Sequence, residues 1–382
     1  MPISRRSFAV AATLAAIIAS APATNAQTAQ TGAWQLRYEP SSDRWGERVQ
    51  LTFEDYDQRF GHRGQTSFGI APSLLQGLTA AQLASAEGPV RFRLVRDAGS
   101  FNFVGQLYRG RGNGSFTFTP DPRFAQEMAK RGYQSPSAQQ QFLLAMHDVG
   151  YALVDELRTQ GYTRPSVDDL VTMGMHGVRF DYVRGMGSLG YHFRDTDKLV
   201  ELRDHGVTPA FVTGLASSGY RNLSADKLLE MRDHGVTPDY IATMSSSGYA
   251  RLTADELVDL RDHGITPSYI SGMSELGYKL SPDDIRDLRD HGVTPDYIRA
   301  LATAGFSRLS TEQLLNARDH GVTADFADGF RRIGYTRLSM RELVRLRDHG
   351  VSVDFAERVR DRAGQSVSID EIIDRRDHGD RY

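Results

Sequence analysis

Nine histidines stand in one register along the chain, at positions 147, 176, 205, 234, 263, 291, 320, 349 and 378. Each follows the last by 29 residues, except for one step of 28 where Tyr278 to Leu280 is one residue short. Seven of them close the tripeptide Arg-Asp-His, and those at 147 and 176 belong to degenerate copies. A period of this length marks a repeat array, in which one supersecondary unit is copied and each copy completes its neighbours' cores.

One unit, 224–249, can be read residue by residue. Ser224 is an N-cap whose hydroxyl accepts from a free backbone N–H of the first turn, a contact worth about 1 kcal/mol. Ser166, Asp195, Thr253, Ser281, Ser310, Ser339 and Ser368 are the equivalent caps, and Glu256, Gln313, Glu342 and Glu371 complete capping boxes three residues on. Leu228, Leu229 and Met231 supply an apolar face. Gly235 then ends the helix in left-handed conformation, and Val236 folds back beneath it. A second helix starts at once, capped by Thr237 with Pro238 at its first position and Tyr240, Ile241 and Met244 as its buried stripe. Gly248 stops it, and Tyr249 packs back. Helices of about nine residues are marginal alone in water, so stacking must hold them.

Residues 31–122 have another texture. Val49–Phe53, Val90–Leu94, Phe101–Phe103 and Phe116–Phe118 alternate apolar and polar side chains, the period of half-buried strands. Asp97–Gly99 and Gly110–Gly114 read as the turns, and Leu74, Leu75, Leu78 and Leu83 as a short helical piece packed on the sheet. The fold class is therefore α+β. A small β-domain of about five to seven strands, sandwich or roll, spans 31–122, and an α-solenoid of 29-residue helical hairpins spans 124–380 in about eight or nine copies.

The first 26 residues read as an export signal: Arg5 and Arg6, an apolar run from Phe8 to Ala19, and small residues through Ala26. That run is too short for a bilayer of roughly 30 Å. Ser4-Arg5-Arg6-Ser7-Phe8 fits a twin-arginine motif, and cleavage after Ala23 or Ala26 delivers a periplasmic or secreted chain with no membrane span. Cysteine is absent, which removes disulfides, thiolate zinc sites and thiol nucleophiles. A net charge of −3 argues against a nucleic-acid partner.

The stretch Phe92-Arg93-Leu94-Val95-Arg96-Asp97-Ala98-Gly99-Ser100-Phe101, with a Gly-x-Gly turn and repeated Leu-Arg-Asp-His-Gly-Val-Thr-Pro units, resembles a group of bacterial helical-repeat proteins. Similar units occur fused to sensor metallopeptidases of the β-lactam-receptor type. No His-Glu-x-x-His occurs in this chain, so the resemblance implies a binding module and no peptidase.

The candidate chemistry divides three ways. Acids four residues before a histidine (Glu201 and His205, Glu230 and His234, Asp259 and His263, Asp287 and His291) share a helix face and could chelate a metal. The simpler reading has each histidine close its own helix end, donating to free carbonyls and pairing with the upstream acid. The Arg-Asp ladder and the aromatic residues at 162, 191, 220, 249, 278, 306 and 335 read as ion pairs and packing. The turn at 110–114 is a weak nucleotide signal, having no following helix and no phosphate-binding lysine. His62, with Asp55 or Asp57, is the candidate for a hydrolase site in the β-domain; His192 also lies outside the ladder. The reading carried forward is an exported non-enzymatic scaffold for a protein or peptide, with no catalytic, cofactor or metal residues assigned. A hydrolase and a metal-binding repeat protein are the alternatives.

Overall fold

The computed structural model describes residues 30–40, 47–57, 62–364 and 366–379, without the side chains of 55–57 and 62–64. The expected export signal at 1–26 lies outside the described residues. They form two compact units, one of residues up to Thr159 with Arg164–Phe180, the other Gln160–Thr163 with residues from Asp181 onward.

The first unit holds a curled, fully antiparallel sheet of seven strands: β1 (Gln30–Glu39), β2 (Arg48–Asp57), β3 (His62–Ile70), β4 (Leu75–Gln76), β5 (Glu87–Arg96), β6 (Gly99–Tyr108) and β7 (Arg111–Pro120). Their order is β3-β2-β1-β7-β6-β5-β4. All belong to one sheet, so the sandwich alternative gives way. In place of a facing sheet, the apolar side is covered by a helix. Of the helices α1 (Ala80–Ser85), α2 (Pro122–Lys130), α3 (Ala138–Met146), α4 (Tyr151–Thr159) and α5 (Val167–Met175), it is α3 that lays Phe142 against the rings of Phe101, Phe116 and Phe118 at 5.5–6.2 Å. Phe101, Phe103, Phe116 and Phe118 are buried with Trp34 and Phe53 in that core.

The turn expected at 110–114 is narrower. Only Arg109 and Gly110 make it, both at positive φ, while Gly112 and Gly114 sit inside β7. Trp34 explains why. Its indole lies over Gly105, Gly112 and Gly114, where an added Cβ would come within 2.7–3.0 Å of the ring, and its Nε1 donates to the carbonyls of Val104 and Ser115. The leucine-rich piece resolves into a 3-10 turn (Pro72–Leu74), the two residues of β4, and α1; Leu75, Leu78 and Leu83 are buried, whereas Leu74 is exposed.

The remaining helices are α6 (Phe180–Ser188), α7 (Asp197–Asp204), α8 (Pro209–Ser217), α9 (Ala225–Asp233), α10 (Pro238–Ser246), α11 (Ala254–Asp262), α12 (Pro267–Glu275), α13 (Pro282–Asp290), α14 (Pro295–Thr303), α15 (Thr311–Asp319), α16 (Ala324–Arg332), α17 (Met340–Asp348), α18 (Val353–Ala363) and α19 (Ile369–His378). From α8 onward each helix packs on the one two places later, so odd helices stack on odd and even on even. In the unit read above, Ser224 accepts from the Lys227 N–H at 3.1 Å and Thr237 from that of Tyr240 at 3.1 Å. Gly235 has φ +71°, and Val236 N–H donates to the Met231 carbonyl at 2.8 Å, the hydrogen bond that closes a Schellman end.

Two caps differ from expectation. The chain is already helical at Thr196, so the N-cap of α7 is Thr196 and not Asp195, and it makes no side-chain cap bond. Ser368 accepts from Glu371 N–H, but the Glu371 carboxylate turns to Arg375 at 2.8 Å, which leaves that box half formed. The loops before α9, α11 and α15 each hold one non-glycine residue at positive φ (Asn222, Arg251, Arg308); the shortened loop at 278–281 holds none.

Candidate functional site

The Arg-Asp-His ladder places its side chains between copies. Each ring from His205 to His349 sits at the C-cap of a first helix and reaches past the helix end. Its Nδ1 meets the aspartate of the next copy's tripeptide: His205 with Asp233, His234 with Asp262, His263 with Asp290, His291 with Asp319, His320 with Asp348 and His349 with Asp377, at 2.5–2.7 Å. The pairing expected with the acid four residues upstream is therefore replaced. Only His263 (Asp259, 3.5 Å) and His378 (Asp374, 3.0 Å) keep it, and only His378 Nδ1 also lies near a carbonyl of its own helix, that of Asp374 at 3.2 Å. The aspartate hydrogen bond pushes the pKa of His205 and of His291 above the usual imidazole value.

The arginine of each tripeptide turns the other way. Arg232 lies over the Phe211 ring, Arg261 over Tyr240, Arg289 over Tyr269, Arg318 over Tyr297 and Arg347 over Phe326, at 4.8–5.3 Å. Each contact joins an arginine to an aromatic residue of the second helix before it. Arg347 Nε also donates to the Gly321 carbonyl at 2.8 Å. Buried tyrosines complete the tie: Tyr240 donates its hydroxyl to the Ile265 carbonyl, Tyr269 to Val293 and Tyr297 to Val322, at 2.8–3.1 Å. Burial pushes these three phenols up to about 12. Tyr191, Tyr220, Tyr249, Tyr278 and Tyr335, which follow the helix-stopping glycines, donate in the same way to Leu223, Leu252, Leu280, Leu309 and Val367.

Among the described residues no group of three or more His, Asp or Glu side chains is arranged to hold a metal ion. Positions that point outward on the even helices change from copy to copy: Thr213, Ala242 and Ser271 are exposed at equivalent places, followed by Arg299, which reaches Glu275 of the preceding copy at 3.3 Å, and by half-buried Asp328. Small and hydroxyl residues dominate α8, α10 and α12, and charged ones α16.

In the β-domain, β2 and β3 pair Asp57 opposite His62 in the backbone register, while the side chains of Asp55, Asp57 and His62 lie outside the described residues. His192 is exposed. A feature that pattern reading missed is an open groove of about 670 Å³ on the outward side of the sheet. Gln35, Arg37, Gln50, Thr52, Gln106, Tyr108, Arg111 and Asn113 line it. These alternate with the core residues of their strands, so the signal was present in the polar half of each alternation.

No protein-family model matches the sequence, and no curated protein is similar to it.

Proposed function

We propose that the chain is an exported, non-enzymatic binding protein, whose repeats form an α-solenoid of helical hairpins that offers its even-helix face to a protein or peptide partner. The carrying observation is the division of labour within each copy. The recurring Arg, Asp and His side chains, with a Tyr or Phe, are spent on copy-to-copy contacts, whereas Thr213, Ala242 and Ser271 differ from one copy to the next and face solvent. Extended arrays with a variable exposed face are the usual platform for macromolecular recognition. That last step is an analogy at the level of architecture.

Photo-crosslinking tests it. A crosslinker placed at Ala242 or Ser271 captures one defined polypeptide in the export compartment, while one at Asp255, on an odd helix, captures none. Equal or absent capture from both faces ends the proposal. Export itself rests on residues 1–26. Replacing Arg5 and Arg6 by lysine is expected to retain the chain in the cytoplasm, and N-terminal sequencing of the exported form is expected to begin at Thr24 or Gln27.

A further inference from the structure

The outward face of the sheet is a second feature, independent of the repeats. Arg37 on β1 and Arg111 on β7 are register partners, and both line the groove. Like charges directly opposite one another across two strands repel, and nothing in the groove offsets them, since none of its lining residues is acidic. Among the described residues Arg37 has only a long contact of 3.6 Å to exposed Glu39, and Arg111 makes no ion pair. The nearby acids are otherwise engaged: Glu54 accepts from Gln35 at 2.7 Å, and Glu87 from Arg109 at 2.7 Å.

Around the two guanidiniums stand Gln50, Gln106, Asn113 and Thr52, side chains that both donate and accept. Tyr108 is 59% exposed; the Arg109 guanidinium lies over its ring at 5.3 Å, which leaves the opposite face as an aromatic surface. Gln50 and Thr52 both hydrogen-bond Ser67 on β3, which fixes their orientation. The groove crosses β2, β1, β7 and β6, roughly 15 Å at the usual strand spacing.

We propose that this groove binds an acidic oligosaccharide, with a sugar carboxylate held between Arg37 and Arg111, ring hydroxyls on the amides and Thr52, and one sugar face on Tyr108. Forked guanidiniums suit a carboxylate, amide side chains suit vicinal hydroxyls, and an exposed ring suits the apolar face of a pyranose. A single-stranded nucleic acid is the competing polyanion, and the groove offers it one exposed ring, Tyr108, on which to stack bases.

The test is calorimetric titration of the full-length chain with a tetramer of galacturonic acid, a neutral tetramer of glucose, and a short single-stranded DNA. The acidic tetramer is expected to bind at least about tenfold more tightly than either of the others. Arg37→Gln and Arg111→Gln each weaken it about tenfold, Arg111→Lys weakens it less, and Arg91→Gln, on the same face outside the groove, changes it by less than about twofold. Circular dichroism checks that each variant is folded. Failure of the acidic tetramer to bind, equal affinity for the neutral sugar, tighter binding of DNA, or indifference to both groove arginines would each overturn the assignment.

Discussion

Trp34 and His147 show how much a single buried side chain dictates. The indole of Trp34 occupies the space that three side chains would otherwise take at Gly105, Gly112 and Gly114. A methyl at Gly114 would stand 2.1 Å from the Val104 carbonyl and 2.8 Å from the indole nitrogen, so Gly114→Ala forces apart two strands of the core. We expect it to cost about 2–3 kcal/mol in urea denaturation, at the upper end of overpacking substitutions. His147 is the opposite of its ladder relatives. It is 9% exposed, burial lowers its pKa to about 4, and the Arg179 charge acts in the same direction. Its folded value lies below the ordinary 6.5, so its neutral burial favours the fold above about pH 6.5. That contribution, on the order of 3 kcal/mol, is lost as pH falls toward 4. His147→Leu is expected to flatten the acid limb of the stability curve; a wild-type-like slope in that variant would exclude this cause.

At the scale of the element, the ladder carries the reverse sign. Asp233 and Asp319 raise His205 and His291, so the favourable contribution is fully present below about pH 6.5 and disappears as pH rises through the raised values. Asp233→Asn with Asp319→Asn is therefore expected to flatten the fall in thermal midpoint as pH rises above about 6.5. The tyrosine ties are a separate matter. Tyr240→Phe removes the hydroxyl that satisfies the Ile265 carbonyl, and should lower stability by about 1 kcal/mol, with no pH dependence below about pH 10, where the phenol begins to titrate in the unfolded chain. The helices themselves were legible in the sequence because their ends are written locally: a hydroxyl cap, then Gly eleven places on and an apolar residue after it. The partner of each histidine was not legible. A 29-residue spacing says that copies exist, but only three-dimensional stacking says that one copy's ring meets the next copy's carboxylate. Asp195 misled for a related reason, since the chain before α7 enters already helical and has no use for a carboxylate there.

For the molecule as a whole, the α+β composition was readable from the switch between two periods, two in the sheet and 29 beyond it. The single curled sheet was not, because alternation reports one buried face and does not say whether a sheet or a helix covers it. Phe142 decided in favour of a helix. The repeated ties also set what the chain tolerates. Excising residues 225–253, one full period, would let His205 meet Asp262 as it now meets Asp233. We expect such a chain to remain folded, with helicity per residue unchanged. Excising a third of a period should collapse the helical signal, and equal behaviour of the two deletions would refute the dependence on register.

The short loop at 278–281 has a practical meaning. One residue fewer there leaves His263 on Asp290 at 2.7 Å, Tyr249 on the Leu280 carbonyl at 3.0 Å and Tyr278 on that of Leu309 at 2.8 Å. Three of its longer counterparts hold a residue at positive φ, Asn222, Arg251 and Arg308, while the equally long loop before α17 holds none. These junctions act as slack in an otherwise rigid gearing, so a fluorophore, an epitope or a protease site grafted into one of them should ride on the protein without being felt by the teeth on either side.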